Sequence, residues 1–285
     1  MRFIVHSSPT THSSYHPGRP LNNLRQSKSD ENVPVVFIHG IGIGLIYYLT
    51  LIDQLLNLGR PVILPEIPYV TAFRAWLSPS CVLPPLVVSS TLTAMLYECG
   101  FFKAAFVGHS YGTTWVSYMC KFAPKNVASA VFLDPICFCL YLPFLTKKFV
   151  YQRADPGSMS CFVRTDVNVC WTIQRAFPWN CIALFCEQIP VRAAVFLSEK
   201  DEIVPTLDVQ RYLSSKGAII KTFPEIEQDH FLSANVSVTV FQGVGHGDCK
   251  YLNSIGCLLV EYQFHLIRSQ LLFFCIFCDP YLSQG

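Results

Sequence analysis

Residues 103–120, KAAFVGHSYGTTWVSYMC, decide the fold. A short apolar run leads into GHSYG at 108–112, and a helix-compatible run follows directly. The pattern predicts a buried strand that turns sharply into a helix, with Ser110 at the corner. Gly108 and Gly112 remove the side chains that would collide where the strand and the helix pack closely. We therefore expect the Ser110 hydroxyl to be presented beside the unpaired N–H groups of a helix start.

Short apolar runs recur along the chain and predict strands of a parallel sheet buried on both faces. They are Val35–Ile38, Pro61–Leu64, Ala104–Val107, Ala128–Leu133, Ala193–Leu197 and Val236–Phe241. Helix-like stretches lie between several of them, at Ile46–Leu58, Leu86–Cys99, Tyr111–Phe122 and Asp208–Ser215. This alternation predicts an α/β fold with a mostly parallel sheet of about six strands flanked by helices.

The composition is unusually apolar, with 51% hydrophobic and 14% charged residues among 285, where a typical soluble domain has roughly 25% charged residues. The net charge of +2 gives no reason to expect a nucleic-acid partner. No apolar run is long enough for a membrane span, and the apolar start is too short for a secretory signal. Thirteen cysteines, mostly in apolar surroundings, favour an intracellular, reducing compartment, with membrane association left open.

The pattern divides the chain into five parts. Residues 1–32 are rich in polar residues and predict a disordered N-terminal tail. Residues 33–136 and 191–250 predict the two parts of the core. Residues 137–190 break the strand–helix rhythm with many aromatics, cysteines and prolines, and we expect a mainly helical insertion that forms a lid. Residues 251–285 predict an apolar C-terminal tail that docks on the body or binds a membrane.

Four motifs over residues 33–248 resemble those of the α/β-hydrolase superfamily, in the superfamily's order. They are VPVVFIHGIGIG, FVGHSYG, AVFLSEKDEIVP and VSVTVFQGVGHGD, each at the end of a predicted strand. The resemblance implies an α/β-hydrolase fold and a serine hydrolase. It assigns Ser110 as the nucleophile, His246 as the general base, and Asp201 as the carboxylate that orients the imidazole.

The resemblance also implies an oxyanion hole. Its donors would be the backbone N–H groups of Ile41, just after the His39-Gly40 pair, and of Tyr111, just after the nucleophile. The chemistry needs no cofactor. HGIGIG is not a dinucleotide fingerprint, because Leu45 stands where the last glycine would be.

Two assignments have alternatives. Asp134 ends the AVFLDP run, and some members of the superfamily take the acid from that strand, but KDEIVP matches the usual acid loop and favours Asp201. The interval between Asp201 and His246 carries an extra stretch, KTFPEIEQDHFLSAN, which leaves their distance open. We expect no metal site, because the single CxxC at Cys275 and Cys278 lacks a second pair or suitably spaced histidines.

We therefore expect a hydrolase that cleaves a carboxylic ester through an acyl-enzyme. The substrate would be a lipophilic small-molecule ester or a lipid. Acyl transfer, amide cleavage and perhydrolysis would use the same three residues. A non-catalytic binding or membrane-associated protein that retains the scaffold is the alternative, and the atypical ends of the chain and the extra stretch before His246 are its basis. Peripheral membrane contact is left open. The sequence does not predict the oligomeric state.

Overall fold

One eight-stranded sheet forms the centre of the computed structural model, which describes residues 3–6, 33–72, 82–157, 159–189, 192–223 and 236–248. The strands are β1 (Phe3–His6), β2 (Val35–Ile38), β3 (Val62–Pro65), β4 (Ala104–His109), β5 (Val127–Leu133), β6 (Ala193–Ser198), β7 (Ile219–Phe223) and β8 (Val236–Phe241). Their order across the sheet is β1-β3-β2-β4-β5-β6-β8-β7. Only β1 runs antiparallel to its neighbour, so the prediction of a mostly parallel α/β sheet is confirmed.

The strand count is a correction: eight strands are present where the sequence predicted about six. The two that were missed, β1 and β7, are the edge strands. Edge strands are covered on fewer sides and do not need a continuous apolar run. Ile4 of β1 is 61% exposed, and β7 is half-buried along its length. Residues 3–6 therefore form a strand, although the sequence placed them in a disordered tail.

Helices flank both faces of the sheet. They are α1 (Leu49–Leu56), α2 (Pro85–Glu98), α3 (Gly112–Phe122), α4 (Met159–Thr165), α5 (Val167–Arg175), α6 (Trp179–Ile182) and α7 (Thr206–Ser215). Short 3₁₀ segments occupy Gly44–Tyr48, Pro68–Val70, Pro124–Asn126 and Cys186–Gln188, and a π-helical turn occupies Thr146–Tyr151. Glycines follow α1, α2 and α7 with positive φ, as expected for helix C-termini.

The side chains of each inner strand point alternately to the two faces, and each face has its own apolar core. Val35 and Phe37 of β2 join the face that packs against α1. Val36 and Ile38 join the other face, which packs against α2, α3 and α7. Both cores exclude water almost completely, which explains why the inner strands lack polar alternation.

The segment that the sequence predicted as an insertion, 137–190, is helical over much of its described length and carries α4 to α6. It packs on the α3 side of the sheet, where Val169, Ile182 and Leu184 join the core. The Ser117 hydroxyl of α3 donates to the Ile182 carbonyl at 2.7 Å. The insertion is therefore anchored through buried contacts to the helix that follows the serine corner.

Several predicted features lie outside the described residues. They include most of the polar tail, the extra stretch from 224 to 235, and the apolar tail at 251–285. Among the helices that are described, none is long and apolar enough to cross a membrane.

Candidate active site

Ser110 occupies the corner between β4 and α3 with a left-handed backbone, at φ 49°. This conformation is strained for a residue with a side chain. The flanking glycines permit it, because a Cβ on Gly108 would lie 2.6 Å from Val116 Cγ2 and a Cβ on Gly112 would overlap the backbone of Ile38. The Ser110 N–H donates to the Leu133 carbonyl at 2.9 Å and fixes the corner to β5.

The structure brings Ser110, His246 and Asp201 together at the carboxyl ends of the strands. Ser110 Oγ lies 2.8 Å from His246 Nε2, and Asp201 Oδ2 lies 2.7 Å from His246 Nδ1. The other oxygen of Asp201 accepts the N–H groups of Ile203 at 2.7 Å and Val204 at 2.8 Å. The carboxylate is thus held in one orientation, with one oxygen directed at the imidazole.

Asp134, the rival acid, contacts the main chain instead of the imidazole. It is fully buried after β5 and accepts hydrogen bonds from Ser198 N at 2.9 Å, Ser198 Oγ at 3.0 Å and Gly247 N at 2.9 Å. Burial raises the pKa of Asp134 to about 6. The geometry therefore favours Asp201 over Asp134 as the partner of His246.

The pKa of His246 reflects two opposing effects. Burial lowers it, but the charge and hydrogen bond of Asp201, together with the charge of Asp134, outweigh burial and hold the pKa of His246 above its usual range. A hydrogen on Nδ1, donated to Asp201, leaves Nε2 as the acceptor that faces Ser110. This is the tautomer that a general base needs.

The loop after β2 lies against the serine corner. A Cβ on Gly40 would be 3.0 Å from the Cβ of Ser110. His39, which the sequence favoured as a support and not as a base, accepts the Ile67 N–H at Nε2 (2.9 Å) and lies with Nδ1 2.8 Å from the Gly40 carbonyl. The Gly42 N–H donates to the Val70 carbonyl at 3.1 Å. These bonds fix the loop to the segment that follows β3.

The two amides predicted as oxyanion donors belong to Ile41 in this loop and to Tyr111 at the corner. Within the described part of the chain, neither N–H has a protein acceptor. Their role as oxyanion donors stays a prediction.

A buried polar pair behind the serine was not predicted from the sequence. Tyr48 Oη accepts the Gly40 N–H at 3.0 Å and lies 2.7 Å from His109 Nδ1. Burial, aided by His246 and His39, holds the pKa of His109 well below its usual range, so its ring is neutral. The only sequence signal was the position of His109 beside the nucleophile.

The insertion reaches the serine corner through an aromatic contact. The Phe177 ring packs against the Tyr111 ring, with 6.3 Å between centroids, and Thr172 Oγ1 donates to the Tyr69 carbonyl at 3.2 Å. Tyr69 lies in the 3₁₀ segment after β3 and accepts a hydrogen bond from Trp115 Nε1 at 3.0 Å. The insertion thus contacts both segments that flank the predicted oxyanion donors.

Asp134, Asp201 and His246 are close enough for their side chains to share a metal ion. However, Asp201 and His246 bond to each other, and both oxygens of Asp134 accept hydrogen bonds from Ser198 or Gly247. The cluster is therefore explained by hydrogen bonding without an ion.

Comparison with known proteins agrees with this fold. Residues 33–160 match the family model described as the alpha/beta hydrolase fold. That stretch includes the loop after β2, the serine corner and the start of the insertion. The chain has the α/β-hydrolase fold. Comparison with curated protein sequences gives no match.

Solved structures with the α/β-hydrolase fold resemble most of the chain. A meta-cleavage product hydrolase from Pseudomonas fluorescens IP01 is 16% identical, with a TM-score of 0.56 over 82% of this chain and 92% of that one. The enol-lactonase from Burkholderia xenovorans LB400 is 10% identical, with a TM-score of 0.54 over 92% and 96%. An alpha/beta hydrolase from the metagenome of lagoon sediments at Mar Chica, Morocco, is 14% identical, with a TM-score of 0.54 over 81% and 90%. At these identities the likeness establishes the fold.

Proposed function

We propose that the protein is a serine hydrolase that cleaves a carboxylic ester through an acyl-enzyme. The observation that carries the proposal is the continuous hydrogen-bonded row from Asp201 through His246 to Ser110, with contacts of 2.7 and 2.8 Å. A serine hydroxyl is a weak nucleophile until a base accepts its proton, and this row supplies the base and the group that orients it. Two of the solved structures that share the fold are named as an enol-lactonase and a meta-cleavage product hydrolase, and this supports the proposal.

Each step follows from this arrangement. Ser110 Oγ bonds to the ester carbonyl carbon while His246 Nε2 takes its proton, and the carbonyl oxygen becomes an oxyanion. The N–H groups of Ile41 and Tyr111 would stabilise that oxyanion. The intermediate collapses, the C–O bond to the alcohol breaks, and the alcohol takes the proton from His246. Water then attacks the acyl-enzyme in the same way, which releases the acid and restores Ser110.

The substrate is proposed to be a small lipophilic ester or a lipid. An apolar groove lies between the first residues of the insertion and the loop that carries Asp201, and Ile136, Phe138, Leu145 and Ile203 line it. Its volume of about 10 Å³ is too small for an acyl chain, so binding of substrate there would require the insertion to move. The contact between Phe177 and Tyr111 supports an insertion that acts as a lid over the serine. A lid of this kind would bind hydrocarbon and keep water from the acyl-enzyme.

The test uses a fluorophosphonate probe and p-nitrophenyl esters with the full chain. We expect Ser110→Ala to abolish labelling and to lower turnover by at least about 1,000-fold. Ser90→Ala is the matched control, because Ser90 is exposed on α2 and its hydroxyl donates only to the nearby Val87 carbonyl. A wild-type protein that melts cooperatively but is neither labelled nor active would contradict the proposal and favour a binding protein that retains the scaffold.

A further inference from the structure

The residue that follows His246, Gly247, is held at both its main-chain N–H and its carbonyl by side chains from distant parts of the chain. The Gly247 N–H donates to Asp134 Oδ2 at 2.9 Å, and the Tyr47 hydroxyl donates to the Gly247 carbonyl at 2.6 Å. Gly247 has φ +65°, and a Cβ there would lie 3.1 Å from His109 Cε1. The main chain of Gly247 therefore lies in a narrow space, with a hydrogen-bond partner on each side.

Asp134 is itself rigidly placed. It is fully buried, has a left-handed backbone at φ 41°, and receives two further hydrogen bonds from Ser198 at the end of β6. Such a conformation is strained and persists only where the surroundings determine it. Because Asp134 makes no hydrogen bond to the imidazole, its contact with Gly247 is the route by which its position reaches His246.

Tyr47 and its neighbour Tyr48 hold two different loops. Tyr47 bonds to Gly247 in the loop of the base, whereas Tyr48 accepts the N–H of Gly40 in the loop after β2. The two rings meet edge to face, with 5.3 Å between centroids. One short 3₁₀ segment, Gly44–Tyr48, therefore connects the loops that carry the base and the adjacent oxyanion donor.

We propose that Tyr47 and Asp134 are positioning residues that fix the main chain of Gly247 on either side of its Cα and thereby hold the His246 imidazole in line with Ser110. The inference rests on the proposed function. Neither residue touches the Ser110 hydroxyl, so each positions the imidazole through the main chain, and the charge of Asp134 adds a direct electrostatic effect on His246 that the pH dependence reports separately. The effect on catalysis follows because proton transfer requires the base to lie within hydrogen-bond reach of the nucleophile, and small displacements are costly.

The first test is Tyr47→Phe, which removes one hydroxyl and keeps the ring. Tyr47 is 42% exposed, so the variant is expected to fold. We expect kcat with p-nitrophenyl acetate and the rate of fluorophosphonate labelling to fall about 3- to 10-fold, with KM changed less than about twofold. Tyr97→Phe is the matched control, because Tyr97 has a similar exposure of 37% and accepts a hydrogen bond from Asn126 at 3.2 Å, far from the site.

The second test is Asp134→Asn combined with Tyr47→Phe. An asparagine cannot accept from every donor that Asp134 serves, so the single variant should lose at least as much kcat as Tyr47→Phe. Both residues hold the main chain of Gly247. The fold-loss in kcat of the double variant should therefore be smaller than the product of the two single losses. If the two residues only stabilise the fold, the variants should have lower melting temperatures, and their losses of kcat should be independent of each other.

The outcomes separate the two proposals. If the wild type is labelled at Ser110 and Tyr47→Phe matches Tyr97→Phe in kcat, the positioning role is wrong and the hydrolase proposal stands. If the loss of kcat in the double variant equals the product of the two single losses, Tyr47 and Asp134 do not act together on the main chain of Gly247. If Ser110 is not labelled in the folded wild type, the hydrolase proposal fails and the positioning role fails with it.

Discussion

Gly112 lies directly against the backbone of Ile38. A Cβ on Gly112 would overlap the Ile38 carbonyl oxygen and lie 2.8 Å from the carbonyl oxygen of the next residue. This close approach lets α3 begin immediately behind the end of β2, which places the Ser110 hydroxyl beside the loop after β2.

Gly112→Ala should be strongly destabilising, because backbone atoms cannot move aside as a flexible side chain can. We expect the free energy of unfolding to fall by about 1–3 kcal/mol or more, measured by urea denaturation. Gly217→Ala is the control: its φ of +87° is strained for alanine, but nothing lies within 4 Å of the added Cβ, so about 1 kcal/mol is expected. Equal losses in the two variants would show that the packing of Gly112 is unimportant.

Asp201→Asn should reduce turnover by up to about 10,000-fold with little loss of stability, as the same change does in a serine protease with a Ser-His-Asp triad. The N–H groups of Ile203 and Val204 would retain the amide oxygen, so the amide nitrogen would face His246 Nδ1. The imidazole would then carry its hydrogen on Nε2 and could not accept the Ser110 proton. Kinetics and a thermal melt of the same sample check this, and near-normal turnover would contradict the role of Asp201.

The rate of fluorophosphonate labelling should fall at acid pH, with a midpoint above the usual histidine pKa of 6.5. His246 must be neutral to act as a base, and its pKa is raised above the usual value. Labelling therefore increases as pH rises through that pKa. Because the charges of Asp201 and Asp134 raise the pKa, Asp134→Asn should move the midpoint to lower pH. Glu199→Gln is the control, because it removes an exposed carboxylate that bonds to Gly243 in the same loop. A midpoint that is unchanged in Asp134→Asn would contradict this electrostatic effect.

Activity should increase with acyl length if the insertion and the apolar groove bind the substrate chain. Each buried methylene can contribute up to about 0.8 kcal/mol, so kcat/KM should rise from acetate to octanoate esters until steric limits intervene. Phe177→Ala should flatten the trend, because it removes the ring that the insertion places against Tyr111. Flat or falling activity in the wild type would exclude a lipophilic pocket while leaving Ser110 as nucleophile.

Removal of residues 1–6 should expose the edge of β3. Main-chain pairing with β1 covers that edge, and Val62, Ile63 and Leu64 beneath it are buried. We expect more aggregation on heating, measured by light scattering, because unpaired apolar edges recruit other strands. Ile4→Thr is the control, since it changes an exposed side chain and keeps the pairing, and its effect should stay within about 0.5 kcal/mol. Identical scattering from the two proteins would contradict a protective role of β1.

The parts of the fold that the sequence predicted are those with a strong local signal. Six inner strands are nearly continuous apolar runs because both of their faces are buried. The edge strands β1 and β7 lack that signal: β7 contains Lys221 and Thr222, and β1 ends in His6 at the start of a polar stretch. These two strands form because they pair with β3 and β8, and their own sequence pattern does not predict them.

The proximity of Ser110, Asp201 and His246 was expected because each follows a predicted parallel strand, and such strands end at one edge of a sheet. Their catalytic roles stay proposals. The contact between Tyr47 and Gly247 had no comparable signal, since it joins residues 200 positions apart through one hydroxyl. Likewise, the KDEIVP motif favoured Asp201 over Asp134 as the partner of the imidazole, but no pattern indicated that Asp134 bonds to the main chain of Gly247.

Ser110 and His246 are 136 residues apart, and β5, β6 and β8 must all be in register before their side chains meet. Long-range pairing of this kind forms late and slowly during folding. Covalent labelling of Ser110 would therefore report the completed sheet during refolding, whereas circular dichroism would report helices that form earlier. Any delay between the two signals would measure how long the sheet stays incomplete after the helices have formed.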